Sequence, residues 1–270
     1  MSSLKQITCK TALSPSQLPG LDYTLNPYLG CEHACVYCYA PYTLHYSGEE
    51  PWGTFVSAKM NIPSILEREA RKKKPGVVGI STVTDPYQPA EAKLLLTRSC
   101  LEVLLAKDVP ICIQTKSALV TRDIDLIRMF RTKEVGFTVT TLDDHIKAVM
   151  EPGASLPAKR LKALKELADA GIPVWAFVGP MVPGVIDDET LPAILAAIKE
   201  AGVERVMFDR LRLKPGMWTH MEPYLREKDK LILEACRPAL FNNDGTFEKY
   251  KADAERICEE LKLTCHFYIQ

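Results

Sequence analysis

The sequence lacks the segments that direct a chain into or across a membrane. No apolar run reaches the roughly 18 residues that a membrane-spanning helix needs. The N-terminal stretch MSSLKQITCK has no apolar core of the kind found in signal peptides. We therefore expect a cytoplasmic protein that does not contact a membrane.

An excess of charge of either sign is also absent. Lys and Arg together number 34, as do Asp and Glu, so the formal net charge is zero. A protein whose whole surface binds phosphates would be basic. Nucleic acid is therefore a possible partner only through a local patch, and the net charge does not favour it.

Linkers, charge blocks and low-complexity stretches are missing as well. The chain has 270 residues, of which 47% are hydrophobic and 25% charged, and these values are typical of a globular protein. They exclude collagen-like and disordered chains. We expect one domain over residues 1–270, with a core at about 23–215 and a C-terminal extension at about 216–270.

Short apolar runs alternate with amphipathic segments along the chain. Buried strands are predicted at 23–29, 77–82, 109–115, 135–141, 173–178 and 203–209. Helices are predicted at 61–72, 90–107, 122–132, 156–170 and 191–201, the fourth with Ser155 as its N-cap. The tail adds helices near 225–236 and 247–261 and a short strand at 265–269.

This alternation predicts an α/β fold with a parallel sheet. The sheet could stay open or close as a barrel, and six units fit a partial barrel better than an eight-fold one.

Three of the nine cysteines lie close together, in the stretch NPYLGCEHACVYCYA (26–40). Cys31, Cys35 and Cys38 have the spacing C-x3-C-x2-C and can hold one metal centre only from a loop. A structural zinc site needs four ligands, usually in two pairs, and no second CxxC pair is present. A [4Fe–4S] cluster on three thiolates keeps one iron open to another ligand. Zinc completed by His33, and three merely buried thiols, are the alternatives.

The motif, with Tyr37 before its last cysteine, resembles the signature of the radical S-adenosylmethionine (SAM) superfamily. The wider string is similar to the branch that contains spore photoproduct lyase and proteins described as DNA repair photolyases. The resemblance continues in STVTDPYQPAE (81–91), QTKSALVTRDIDLI (114–127) and TVTTLDDHIKAVMEPGA (138–154), and it covers about residues 23–215.

The resemblance implies a partial (β/α)6 barrel and a [4Fe–4S] cluster on the three cysteines. SAM would bind the open iron and be cleaved to a 5′-deoxyadenosyl radical that takes a hydrogen atom from the substrate. A reductant such as flavodoxin or ferredoxin would supply the electron.

Further site residues are expected at the C-terminal ends of the strands, where parallel barrels carry their chemistry. We expect Lys116 to pair with the SAM carboxylate, Asp85 or Thr84 to bind the methionyl amine, and Ser117 to assist. Tyr37 is expected to pack on the adenine. The alternative for each strand-end residue is a cap or turn, as for Asp85 before Pro86.

Tyr39 matches the tyrosine that photoproduct lyases use to relay a hydrogen atom, with burial over the cluster as the alternative. Those lyases also use a cysteine donor just before the acidic residue, and here Ser81–Asp85 contains none. Glu151 with Arg160 either binds the ribose or forms a structural ion pair.

The substrate therefore stays open. The sequence predicts a radical SAM enzyme acting on an unidentified substrate. Lesion repair like that of spore photoproduct lyase is one alternative. A non-catalytic iron–sulfur sensor or metal-binding protein is an alternative of another class.

Overall fold

The six predicted apolar runs become neighbouring parallel strands. The computed structural model describes residues 2–268. Its strands are β1 (Ser3–Ile7), β2 (Leu13–Pro15), β3 (Tyr23–Leu25), β4 (Tyr28–Leu29), β5 (Phe55–Lys59), β6 (Val78–Ile80), β7 (Ile111–Thr115), β8 (Lys133–Thr138), β9 (Val174–Met181), β10 (Arg205–Arg210) and β11 (Thr264–Phe267).

The helices lie mostly between successive strands of this set. They are α1 (Ala40–Thr43), α2 (Ile62–Ala70), α3 (Glu91–Leu94), α4 (Leu96–Leu105), α5 (Ile124–Ile127), α6 (Asp144–Met150), α7 (Pro157–Asp169), α8 (Thr190–Glu200), α9 (Met217–Lys228), α10 (Lys230–Phe241) and α11 (Thr246–Leu261). A 3₁₀ helix at Ala118–Asp123 precedes α5. No helix among the described residues is long and apolar enough to cross a membrane.

The larger sheet is an open, mostly parallel sheet. Its strand order is β11-β10-β9-β8-β7-β6-β3-β2. All neighbours from β3 to β11 pair in parallel, and β2 runs antiparallel to β3. Because β2 and β11 stand at opposite edges, the sheet does not close into a ring. The prediction of a partial (β/α)6 barrel is confirmed, with β11 added as a further parallel strand after the C-terminal helices.

The two faces of this sheet differ in burial. Along β7, Ile111 and Ile113 are buried and belong to the main hydrophobic core together with Leu104 of α4. Cys112 and Gln114 alternate with them and are partly exposed on the other face. One face of β7 is therefore fully buried and the other only partly, whereas all three residues of the neighbouring β6 are buried.

A second, smaller sheet supports the segment that carries the three cysteines. Its order is β1-β5-β4, with β5 parallel to β1 and antiparallel to β4. Tyr28 and Val56 of this sheet pack with Leu96 in a separate hydrophobic cluster. β1 and β5 were not among the predicted elements. The strand predicted at 23–29 is divided in the structure into β3, in the larger sheet, and β4, in this one.

The predicted helix 90–107 is broken in the structure at Leu95. This residue has a left-handed φ of +54° and separates α3 from α4. The buried carboxylate of Glu91 accepts hydrogen bonds from the backbone N–H groups of Thr97 (2.9 Å) and Arg98 (3.3 Å). The first N–H groups of a helix have no partner within it, so this carboxylate stabilises a new helix start.

Two other helix predictions differ from the structure in their details. The predicted helix 122–132 is the 3₁₀ helix followed by the short α5. Ser155 does not cap α7; its hydroxyl accepts a hydrogen bond from the backbone N–H of Ala118 at 2.9 Å. This contact joins the loops that follow β7 and β8, a long-range role that local capping rules do not contain.

The C-terminal extension is mainly helical, as predicted. The helix expected near 225–236 is two helices, α9 and α10, separated at Asp229, whose side chain accepts a hydrogen bond from the backbone N–H of Ile232. The helix at 247–261 is confirmed by α11, and the final strand by β11. Residue 269 of the predicted strand lies outside the described residues.

Candidate functional site

The three cysteines of the motif lie on turns between β4 and α1. Ala34 donates its backbone N–H to the carbonyl of Cys31 at 3.3 Å, and Cys38 donates to that of Cys35 at 3.1 Å. Gly30 begins the segment with a φ of +85°, and a Cβ there would lie 2.4 Å from the backbone oxygen of Phe55. Only glycine fits this approach. We call residues 30–39 the cluster loop.

The three thiols lie in surroundings that disfavour their charged forms. Burial raises the pKa of Cys31 and Cys38, and it raises the pKa of Cys35 to about 12. Lys116 opposes this shift at Cys35, and the Trp52 indole N–H opposes it at Cys38. Metal coordination deprotonates such thiols, because the metal's charge replaces the lost solvation.

The donor set fits an iron–sulfur cluster. Within residues 2–268, no three His, Cys, Asp or Glu side chains converge on a position for a single metal ion. A cubane cluster makes a different demand, because each thiolate binds a different iron. Three soft sulfur donors on one loop therefore suit such a cluster, with Cys31, Cys35 and Cys38 as the residues that would hold it.

Asp85 connects the cluster loop to the strand ends. Its Oδ1 accepts hydrogen bonds from the backbone N–H of Tyr87 and the hydroxyl of Thr115, at 2.9 and 2.7 Å. Its Oδ2 accepts from the backbone N–H of Lys116 at 2.8 Å and lies 3.3 Å from Nδ1 of His33. A carboxylate has about four acceptor positions, so a SAM amine would have to displace one of these partners.

The same contacts determine the charge of Asp85. Burial alone would raise its pKa, but His33, the Lys116 backbone N–H and the Thr115 hydroxyl outweigh it and hold the pKa at about 2. The carboxylate is therefore ionised at neutral pH and anchors His33 inside the cluster loop.

Thr84 and Gln88 form a second attachment to this loop. The Thr84 hydroxyl donates to the backbone oxygen of Gly30 at 2.6 Å. The Gln88 amide donates to the Thr84 hydroxyl at 3.0 Å, and its oxygen accepts from the backbone N–H of Glu32 at 3.0 Å. Thr84, predicted to bind SAM, thus already contacts the loop that carries the cysteines.

Lys116 places a cation beside the cysteines. Its Nζ lies 5.7 Å from the ring centre of Tyr37. Burial alone would lower the pKa of Lys116, but Cys35, Glu151 and Asp85 raise it above its ordinary value. The side chain therefore stays an ammonium ion that can pair with an anionic ligand. Ser117, its neighbour, uses its hydroxyl oxygen to cap the 3₁₀ helix through the backbone N–H of Leu119 at 3.3 Å.

The hydroxyl of Tyr37 is fixed by a buried ion pair. Its hydroxyl donates to Glu151, which forms a salt bridge with Arg160. Arg160 also donates to the backbone oxygens of Thr138 (3.0 Å) and Ser155 (2.8 Å). Burial alone would raise the pKa of Glu151, but Arg160 and then Lys116 lower it. Of the two roles weighed for Glu151 and Arg160, this geometry favours the structural ion pair.

Tyr39 lies at the accessible side of the site. It is 44% exposed, and its hydroxyl donates to the backbone oxygen of Thr82. Thr82 belongs to the segment in which photoproduct lyases would carry their cysteine donor. Tyr39 is therefore not a fully buried cover of the cysteines and can be reached from solvent.

Sequence reasoning missed several residues that shape the site. Ser81 has a φ of +63°, and its buried hydroxyl has no hydrogen-bond partner. Gly153 packs so closely that a Cβ there would lie 1.9 Å from the backbone oxygen of Glu32. Its backbone N–H donates to the oxygen of His33 at 3.0 Å. The glycine in the MEPG string was a visible signal, but only the fold shows what it contacts.

Comparisons with known proteins show the family of the chain. Residues 25–197 match the family model of the radical SAM superfamily. An uncharacterized protein of Methanocaldococcus jannaschii is 37% identical over 184 residues, covering 68% of this chain and 70% of that protein. An uncharacterized protein of Mycobacterium tuberculosis strain H37Rv is 32% identical over 222 residues, covering 77% of this chain. The chain spans 65% of that mycobacterial protein's length.

A solved structure shares the fold across almost the whole chain. It is a spore photoproduct lyase mutant with bound AdoMet and dinucleoside spore photoproduct. It superposes with a TM-score of 0.70 at 16% identity, covering 99% of this chain and 82% of that one. The family match, the relatives and the fold give one conclusion: the chain belongs to the radical SAM superfamily.

Proposed function

We propose that this protein holds one [4Fe–4S] cluster on Cys31, Cys35 and Cys38 and cleaves SAM reductively to start radical chemistry on a substrate. When bound, the cluster passes on one electron and SAM supplies a 5′-deoxyadenosyl radical that removes a hydrogen atom from the substrate. The electron would come from a donor such as flavodoxin or ferredoxin. The observation that carries the proposal is the set of three thiols on one loop with the Lys116 ammonium beside Cys35.

The chain's own residues would bind and orient SAM in this site. Lys116 would pair with its carboxylate, because its ammonium lies over Tyr37. Thr84 and Ser117 would offer hydroxyl groups next to it, although both already make internal hydrogen bonds. Asp85 would act chiefly by fixing His33 and the backbone of Lys116. The adenine would then lie against Tyr37.

Tyr39 would lie between the radical and the substrate. Its exposure and its hydrogen bond to the Thr82 carbonyl put a hydroxyl at the open side of the loop. A hydrogen atom could leave or return at that oxygen. Because Ser81–Asp85 contains no cysteine, the Tyr39 hydroxyl would give its hydrogen atom to the product radical, and the resulting tyrosyl radical would regain one from 5′-deoxyadenosine.

The experiment is anaerobic reconstitution with iron and sulfide, followed by reduction with dithionite in the presence of SAM. We expect about four irons per chain and formation of methionine and 5′-deoxyadenosine, separated by chromatography. Cys35→Ala should abolish both products. Cys265→Ala, which changes a partly buried thiol outside the loop, should keep them. Equal product from wild type and Cys35→Ala would contradict the proposal.

Lesion repair is the second candidate, favoured by the shared fold with a lyase that binds a dinucleoside photoproduct. It predicts DNA affinity that falls steeply as salt is raised. Absence of DNA binding at low salt would exclude it. An iron-loaded protein that does not bind SAM in calorimetry would instead be a cluster sensor.

A further inference from the structure

The indole N–H of Trp52 is a buried donor without a satisfactory partner. Its Nε1 atom is inaccessible to solvent and makes no hydrogen bond of full geometry. Buried polar groups nearly always find a partner, because leaving one unpaired is unfavourable. Apart from its effect on the pKa of Cys38, Trp52 has no part in the site described so far, so its burial calls for an explanation.

The residues around Trp52 press against the cluster loop. Gly53 has a φ of +94°, and a Cβ there would lie 2.7 Å from the Cβ of Ala34, next to Cys35. The backbone oxygen of Phe55 lies against Gly30, next to Cys31. The segment that follows Trp52 therefore touches the cluster loop at two points, Gly30 and Ala34.

Two neighbouring aromatic rings fix the orientation of the indole ring. Trp52 packs edge-on against Phe55, with ring centres 5.9 Å apart at 90°, and against Tyr46 at 5.7 Å and 70°. Tyr46 and Phe55 stack on each other at 5.1 Å. Such packing leaves the ring little freedom to turn its N–H elsewhere.

The group toward which this N–H acts is the thiol of Cys38. The Trp52 indole opposes the rise in the pKa of Cys38 that burial causes, after the Ala40 backbone N–H and Lys116. As a cluster ligand, Cys38 would carry a thiolate, and hydrogen bonds to ionised acceptors are stronger than those to neutral ones.

We propose that Trp52 is a positioning residue for the cluster: once Cys38 is a cluster-bound thiolate, the indole N–H donates to its Sγ and raises the reduction potential of the cluster. The inference rests on the proposed function, because it needs the cluster on Cys38. Reduction adds negative charge to the cluster and its sulfurs, so the bond is stronger in the reduced state. Hydrogen bonds to the sulfurs are among the features that set such potentials.

The test compares wild type with Trp52→Phe, which keeps an aromatic ring and removes only the donor. The matched control is Trp175→Phe, since Trp175 Nε1 is also buried without a partner. Trp175 lies near the start of β9, whereas the cluster loop contacts the segments that follow β6, β7 and β8. Each protein is reconstituted anaerobically, its iron is counted, and its cluster is titrated potentiometrically with detection by electron paramagnetic resonance.

We expect the same iron content in all three proteins. The midpoint potential of Trp52→Phe should be lower by about 59 mV, which for one electron equals a tenfold change in the ratio of reduced to oxidised cluster. Trp175→Phe should match wild type. Equal potentials in wild type and Trp52→Phe, at equal iron content, would overturn this inference and leave the proposed function standing. A wild type that binds no iron would overturn both.

A spectroscopic measurement covers the case in which Trp52→Phe folds poorly. Wild-type protein with ¹⁵N-labelled indole nitrogens should show ¹⁵N hyperfine coupling to the reduced cluster in pulsed electron paramagnetic resonance. The coupling should persist in Trp175→Phe, which retains Trp52. Its absence from wild type would refute a hydrogen bond from Trp52 to a ligand sulfur.

Discussion

Replacing Arg160 by methionine removes the guanidinium that neutralises Glu151 below the cluster loop. Arg160 and Glu151 are 1% and 0% exposed, so water cannot take over the lost hydrogen bonds. Removing one partner of a buried ion pair costs about 3–5 kcal/mol, because the other charge stays buried. For a chain of this size, each kcal/mol lowers the melting temperature by about 2–4 °C, so the variant should melt roughly 6–20 °C lower.

The double variant Glu151→Gln with Arg160→Met separates the charge from the packing. It leaves no carboxylate at position 151, so we expect it to recover at least half of the lost stability. Thermal and urea unfolding of the iron-free protein, followed by circular dichroism, give the free energies of unfolding.

The pH dependence gives an independent check of the same prediction. Arg160 and Lys116 lower the pKa of Glu151 in the folded protein, so the ionised pair stabilises the fold above the carboxylate's ordinary pKa. This stability is lost as the pH falls, and Arg160→Met should therefore lose less stability than wild type on acidification. A cost below about 1 kcal/mol, or a double variant as unstable as the sum of the two single variants, would refute the reasoning.

Two other changes test the strand-end residues beside the cluster loop. Lys116→Met should weaken SAM binding by the worth of one charge-assisted hydrogen bond, about 1.5–3 kcal/mol or roughly 10- to 150-fold, in calorimetry on the reconstituted protein; an unchanged affinity would remove Lys116 from the SAM site. Asp85→Asn should flatten the acid limb of the stability profile of the iron-free protein. Because the pKa of Asp85 is about 2 when folded against a reference of 3.8, its stabilisation of about 2 kcal/mol is present above about pH 4 and is lost as the pH falls through 2. Parallel wild-type and Asp85→Asn profiles between pH 2 and 5 would contradict that assignment.

The central strands were predictable because each is a short apolar run that is buried by helices. Val135 and Val206, for example, are 0% exposed, and such runs differ clearly from the amphipathic segments between them. β1 and β5 were not predicted because they form a small outer sheet by pairing with each other, and this pairing leaves no periodic pattern in the sequence of either strand. The break at Leu95 escaped for a similar reason, since the Glu91 carboxylate that stabilises it follows no periodic pattern.

The sequence indicates candidate ligands for the site, but not the residues that support them. Cysteine spacing and strand-end position point to Cys35 and Lys116 from the sequence alone. Trp52 lies in the loop between α1 and β5, where the sequence has no hydrophobic periodicity from which its role could be predicted. Likewise, Tyr37 and Glu151 are 114 residues apart, and nothing local indicates that they meet.

Besides its internal turns, the cluster loop contacts distant parts of the chain. Tyr37 meets Glu151, Val36 donates its backbone N–H to the oxygen of Met150 at 3.0 Å, and His33 meets Asp85. The entropy of closing such long segments is paid only when the strands between them have assembled. An isolated peptide carrying the three cysteines would therefore not hold this loop in shape. A cell that loads iron and sulfur here would deliver them to a barrel that is already largely folded, and the cluster would be the last component to enter.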